Sequence, residues 1–175
     1  VVYQQVDGSQ PGALTRVTED PVPLEPFRMS LADVCNESSR VHPGGHGLVS
    51  TLHDYTRFAQ MLLNGGHLEG TRLLGRKTVD RMATNSMGAL RIIIDDPHGV
   101  PLHGDTMGLG VGIRADRGRF GSLESVGSFG WGGAFHTVFW VDPTEDLIGI
   151  VLSQRLMRMD FLQTCRTLVY QALVD

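Results

Sequence analysis

The run from Phe129 to Leu152 constrains the fold more than any other stretch, because β-branched and aromatic residues fill it and only a few polar residues divide it. It opens Phe129-Gly130-Trp131-Gly132-Gly133-Ala134-Phe135-His136, continues Thr137-Val138-Phe139-Trp140-Val141, breaks at Asp142-Pro143-Thr144-Glu145-Asp146 and resumes Leu147-Ile148-Gly149-Ile150-Val151-Leu152. This pattern predicts two strands joined by a short polar connection, with Asp142 and Asp146 as turn residues. Gly132 and Gly133 have no Cβ, so another segment or a ligand can come close to the backbone there. The plain alternative is a glycine-rich turn into an ordinary hairpin.

From Thr106 onward, Met107, Leu109, Val111 and Ile113 alternate with Gly108, Gly110, Gly112 and Arg114. The period of two predicts one further strand whose glycine face lies close beneath another element. Upstream, Thr51 is a helix cap with Asp54 at N3, and Ser50 is the alternative cap one residue earlier. Leu52, Tyr55, Phe58, Ala59 and Leu62 share a helical face until Asn64-Gly65-Gly66 ends it. A shorter helix is expected over 76–83 with Val79 and Met82 facing the core, whereas 85–104 fits a strand, a helical turn or a flap. Residues 118–127 read as a polar connection. Phe161, Cys165, Leu168, Val169 and Ala172 predict a helix over about 157–173 that covers one side of the sheet.

Prolines at 11, 21, 23 and 26 make the start of the chain an extended segment. The expected fold class is therefore α+β, an antiparallel sheet between a helical layer and a covering C-terminal helix. Residues 1–105 supply the extended segment and part of the helical region, and 106–175 supply the strands and covering helix of the same domain. Three strands leave an edge at the glycine-rich strand, and long apolar edges are rarely left unpaired. An additional polypeptide segment is expected to complete the sheet, most economically one preceding Val1.

Several function classes are excluded on composition. At 175 residues and 41% apolar content the chain can bury one core. A formal charge of -4 with 14 scattered arginines gives no nucleic-acid surface. Cys35 and Cys165 form no CxxC pair and read as buried thiols. No apolar run reaches the roughly 18 residues of a membrane span, and the compartment stays open between cytoplasm and periplasm or exterior. His42 and His46 sit in a Gly/Pro loop without a third ligand, and His98 and His103 stand alone, so no metal is expected. The Gly-rich stretches match neither a phosphate loop nor a dinucleotide fingerprint, and no cofactor is expected.

Four ordered motifs carry a more specific likeness. Gly44-Gly45-His46-Gly47-Leu48-Val49-Ser50-Thr51 with Asp54-Tyr55 and Arg57-Phe58, then Met61-Leu62-Leu63-Asn64-Gly65-Gly66, Phe129-Gly130-Trp131-Gly132-Gly133 and Phe139-Trp140-Val141-Asp142-Pro143 resemble the C-terminal half of the serine beta-lactamase-like family. The likeness runs from about Gly44 to Gln154 and is strongest to the esterase branch that is similar to class C beta-lactamases. It implies part of a beta-lactamase/transpeptidase-like fold. It also implies a Ser-x-x-Lys nucleophile motif, a Tyr-containing second motif, and a third motif of Lys-Thr-Gly type on an edge strand. Trp131-Gly132-Gly133 corresponds to the third motif, with Trp131 at its cationic position.

The first two motifs have no counterpart here. Leu74, not serine, lies three residues before Lys77, the only lysine, and Tyr3, Tyr55 and Tyr170 sit in no convincing second motif. His136 stands where the family often has glycine. The resemblance thus implies one portion of a longer or cleaved serine hydrolase, with an N-terminal segment or companion chain carrying Ser-x-x-Lys. A serine hydroxyl becomes a useful nucleophile only when a tuned base takes its proton, and the acyl oxygen then needs aligned donors. By the resemblance, the Ala134 N–H is one such donor, and Trp131, Gly132, Gly133 and His136 line the substrate. Lysine at the third motif suits a substrate carboxylate. Tryptophan there favours small neutral esters and an acyl-enzyme route. The alternatives are a beta-lactamase or D-amino-acid peptidase, and a non-catalytic binding or structural module of the same fold.

Overall fold

The structure, a computed structural model, describes residues 4–5, 14–15, 48, 50–90, 93–94, 102–103, 105–117, 123–133, 137–153 and 159–174. In chain order these form β1 (Gln4–Gln5), β2 (Leu14–Thr15), α1 (Leu52–Leu63), β3 (His67–Leu68), β4 (Thr71–Arg72), α2 (Arg76–Met82), β5 (Ile93–Ile94) and β6 (Leu102–His103). There follow β7 (Asp105–Met107), β8 (Gly112–Arg114), β9 (Phe129–Gly132), β10 (Val138–Asp142), β11 (Leu147–Val151) and α3 (Met159–Gln171). The last five strands make one antiparallel sheet in the order β11-β10-β9-β8-β7, and the earlier strands pair two by two.

Helix α1 begins as the sequence predicts. The Thr51 Oγ1 accepts from the Asp54 N–H at 3.1 Å and donates to the Asp54 carboxylate at 2.9 Å, so one of the helix's free N–H groups is satisfied. The helix ends where Gly66 N–H reaches the Met61 carbonyl at 2.8 Å. Its inward face differs in part from the expected one. Ala59, Met61 and Leu62 are buried, whereas Leu52 and Phe58 are exposed. Phe58 still meets Tyr55 and Phe139 edge to face, with centroids 5.5 and 6.1 Å away. Helix α2 places Val79 in the core and Met82 against it, as predicted.

The sheet is buried on both sides. Val111, Ile113, Phe129, Phe139 and Val141 pack with Ala59, Met61, Leu62 and Val79, while Val138 and Trp140 pack with Leu162 and Tyr170 of α3. Alternate residues of β10 therefore serve two cores, and every one of its residues is buried. Each such side chain contributes roughly 1.5–3 kcal/mol of apolar burial. Register fits this packing closely at one place: Gly149 lies opposite Trp140, and a Cβ on Gly149 would fall 2.0 Å from the Trp140 ring. Only glycine leaves that indole its space. In α3, Leu162 and Tyr170 supply the core, with Phe161 and Val169 beside them, whereas Leu168 and Ala172 of the predicted face are exposed.

The strand predicted from Thr106 is itself a hairpin. The alternating run from Thr106 to Arg114 reverses within itself, so Asp105 pairs with Arg114 and Met107 with Gly112. Gly110 takes φ 78°, a left-handed conformation that turns the chain, and Gly108 N–H closes the turn on the Val111 carbonyl at 2.9 Å. Leu109 thus lies exposed at the tip, its N–H held by the Met82 carbonyl at 3.0 Å. The stretch from Phe129 to Val141 holds two paired strands, as the alternative of a glycine-rich turn into a hairpin expects. Gly132 pairs with Val138, and Gly133 N–H donates to the Thr137 carbonyl at 2.9 Å, so β9 and β10 run antiparallel. Alternation marks extended backbone but does not locate a reversal, which in the first hairpin falls at Gly110. Among the described residues the sheet accordingly has five strands rather than the minimum of three, with β7 and β11 outermost.

Candidate functional site

The ladder around β9 gives the third-motif stretch an unusual position. Phe129 and Gly130 pair on both sides, with Ile113 and Gly112 of β8 and with Val141 and Trp140 of β10. Among the described residues, Trp131 and Gly132 pair only with Phe139 and Val138 of β10. The strand is therefore interior at its start and an edge at its end. This refines the expected edge-strand placement: only the end bearing Trp131-Gly132 has an open flank in the ladder.

Trp131 is 45% exposed, in contrast to Trp140 at 2%. One surface of its ring lies against β8, since a Cβ built on Gly112 would stand 3.2 Å from both Cε3 and Cζ3 of the indole. A glycine close beneath another element is what the sequence predicts, although here it belongs to one arm of a hairpin. Gly132 and Gly133 are exposed beside the ring. The structure thus brings Trp131, Gly132 and Gly133 together at one solvent-facing strand end. Ala134 and His136, the other two expected site residues, lie outside the described residues, as do His42, His46 and His98.

A charged cluster fixes the approach to this strand. Arg114, at the end of β8, donates through Nε to Glu124 Oε2 at 2.8 Å and through Nη2 to the same oxygen, and its Nη1 meets Asp105 Oδ1 at 2.8 Å. Glu124 Oε1 pairs with Arg166 Nη1 of α3 at 2.8 Å, and the Arg166 guanidinium sits 5.0 Å over the Trp140 ring. Arg114 and Glu124 are each about 2% exposed at the side chain. Burial is the largest influence on Asp105 and raises its pKa above the ordinary carboxylate value; Arg114 acts in the opposite sense. Sequence reading placed Glu124 in a polar connection, and no periodic signal marks it as interior.

Asp142 closes the other end of β10. It is fully buried; its carboxylate accepts from Ser125 N–H at 3.0 Å, from Thr144 N–H at 3.1 Å and from Tyr170 O–H at 2.8 Å. The expected turn residue is thus also a tie between three segments. Burial first, then the bond to Asp142, pushes the Tyr170 phenol above its ordinary pKa. Because the folded value exceeds the unfolded one, this stabilisation is complete below about pH 10 and is lost as pH rises beyond it. Tyr170→Phe is expected to cost about 1.5–3 kcal/mol near neutrality, the scale of a hydrogen bond to a charged group. It should also flatten the alkaline loss of stability. Urea midpoints measured from pH 7 to 11 test both effects, and an unchanged alkaline slope would contradict the assignment.

The strand end, the helical layer and the four motifs define a class, and the chain belongs to the Beta-lactamase family, whose sequence pattern matches residues 4–173. Among curated proteins, the uncharacterized protein MT1414 of Mycobacterium tuberculosis (strain CDC 1551 / Oshkosh) is 35% identical over 116 residues, which cover 63% of this chain and 28% of that protein. Protein Rv1367c of strain H37Rv matches with the same identity and coverage. The beta-lactamase Mb2281c from Mycobacterium bovis superposes with a TM-score of 0.57 at 25% identity, over 73% of this chain and 44% of that one.

Two further solved proteins share the fold at lower identity. EstCE1, a hydrolase with promiscuous acyltransferase activity, superposes with a TM-score of 0.57 at 20% identity, over 73% of this chain and 31% of its own. Simvastatin synthase (LovD) from Aspergillus terreus reaches 0.58 at 20% identity, over 77% and 37%. The match spans 28% of the curated relatives' length. The fold is thus that of beta-lactamase-family serine hydrolases, with esterase-like and acyltransferase neighbours.

Proposed function

We propose that this chain is the third-motif portion of a carboxylic-ester hydrolase that works through an acyl-enzyme. The observation that carries the reading is Trp131, half-exposed at the open end of β9 and followed by exposed Gly132 and Gly133, in a chain of the Beta-lactamase family. The serine, its lysine and the tyrosine base come from a segment or companion chain outside these residues. That segment also pairs with or packs across the open sheet, for which β11 offers a five-residue outer strand. The serine attacks the ester carbonyl, its proton passes to the base, and the oxygen that gains charge is met by the Ala134 N–H. Gly132 and Gly133 leave room for the acyl group. His136 borders the same pocket.

Trp131 sets the substrate class because an indole presents an amphipathic wall without positive charge. A substrate carboxylate gains nothing from it, whereas a lysine there would supply a charge-assisted hydrogen bond. In the complete protein, kcat/KM on short acyl esters should exceed that on an anionic beta-lactam by about tenfold or more, the scale of one such bond. Steady-state rates on a matched panel test this. A clear preference for the anionic beta-lactam over every ester would overturn the reading and require an arginine to replace the missing charge.

A further inference from the structure

We infer that Gly112 is a specificity-determining position, which holds the Trp131 indole against β8 and so sets the width of the acyl pocket. The inference rests on the ester-hydrolase reading for its substrate class, but its geometric basis is independent of that reading.

Glycine at 112 is not explained by the backbone. Its φ lies outside the left-handed range that Gly110, two residues earlier, occupies at 78°. Glycine inside a strand forgoes side-chain packing and loses more entropy on folding than other residues, so such a position calls for a spatial reason. The reason here is the ring. A Cβ at 112 would meet Cε3 and Cζ3 of Trp131 at 3.2 Å, closer than atoms of this kind normally sit, and its next neighbour is the Gly130 carbonyl oxygen at 3.6 Å. The β8–β9 ladder joins Gly112 to Gly130, which directly precedes Trp131.

The Cε3–Cζ3 edge of the indole rests on β8, and Trp131 as a whole is 45% exposed to solvent. A methyl group at 112 therefore displaces the ring outward, toward the side from which an acyl chain must approach Gly132 and Gly133. A displaced ring narrows that approach. Selectivity between acyl chains follows from a few tenths of an ångström at this contact, because one methylene in an apolar pocket changes kcat/KM by roughly 10–200-fold. Gly112 touches no reacting atom. It acts through Trp131 and is a positioning residue.

Two readouts test the inference on the complete protein. For Gly112→Ala, the ratio of kcat/KM on p-nitrophenyl butyrate to that on p-nitrophenyl acetate should fall roughly tenfold. In a Trp131→Ala background the contact is gone, so adding Gly112→Ala should leave the ratio at the Trp131→Ala value; this pair also serves if the single Gly112→Ala variant does not fold. The second readout needs no catalysis. With Trp140 buried and Trp131 half-exposed, the part of the acrylamide quenching of the complete protein that is lost in its Trp131→Phe variant reports on Trp131, and Gly112→Ala should raise that quenching constant. An equal ratio in Gly112→Ala, or a ratio shift that persists without Trp131, would overturn the selectivity role. Absence of ester turnover in the parent protein would overturn the hydrolase reading and the selectivity with it. Quenching identical to the parent would show that Gly112 does not hold the ring.

Discussion

Glu124→Gln is expected to cost about 3–5 kcal/mol of folding stability, the range measured when one partner of a buried ion pair is removed. Glu124 accepts from Arg114 and is ion-paired with Arg166, and Asp105 pairs with Arg114. Among the described residues the wild-type cluster thus sets two guanidinium groups against two carboxylates, and the substitution leaves two cations facing one anion. Burial prevents water from screening the excess, because Arg114 is only 2% exposed at its side chain. For a chain of this size the expected fall in Tm is roughly 6–20 °C. Adding Arg166→Met restores the charge balance and supplies a side chain of comparable length, so the double variant should be more stable than Glu124→Gln alone. Chemical unfolding of the wild type, the Glu124→Gln and Arg166→Met single variants and the double variant measures the coupling. If the two losses simply add, the cluster does not act as a unit.

Ala134→Pro is expected to lower acyl transfer in the complete protein by at least about 100-fold, the usual scale for losing one oxyanion donor. Proline removes the N–H, whereas Ala134→Gly keeps it and should retain much of the rate. The contrast assigns the role to the backbone rather than to the methyl group. Circular dichroism and thermal unfolding of both variants separate a lost donor from a lost fold. Equal impairment of the glycine and proline variants, with folding intact, would contradict the role.

Much of the layering was legible in the sequence, for reasons that particular residues make plain. Capping chemistry is local, so Thr51 and Asp54 announced the start of α1 and Asn64-Gly65-Gly66 its end. Apolar spacing placed α2 and α3 for the same reason. Chain reversal was harder to read. Met107 to Ile113 alternates whether the backbone continues or turns, and only the left-handed Gly110 decides the matter. The two glycines after Trp131 were read as an opening for a ligand or as a glycine-rich turn into a hairpin, and Gly132 pairs with Val138 at the end of the β9–β10 ladder.

The charge cluster was invisible for a different reason. Arg114, Glu124 and Arg166 are distant in sequence, and a carboxylate is ordinarily taken for surface unless its partners are known. Its burial depends on tertiary neighbours that no local pattern encodes. At the site, the family motif singled out Trp131 but not the glycine beneath it. Gly112 acquires meaning only once β8 and β9 are adjacent.

The central claim, that this strand end serves an acyl-enzyme, is tested most directly by a crystal structure of the complete protein inhibited with a p-nitrophenyl alkylphosphonate. The phosphonate should be bonded to a serine outside the residues described here, with its alkyl chain against Trp131. Its charged oxygen should lie about 2.7–3.1 Å from the Ala134 N–H. A well-ordered adduct whose oxygen points away from that amide, or whose alkyl chain leaves Trp131 untouched, would contradict the account even in a protein that hydrolyses esters.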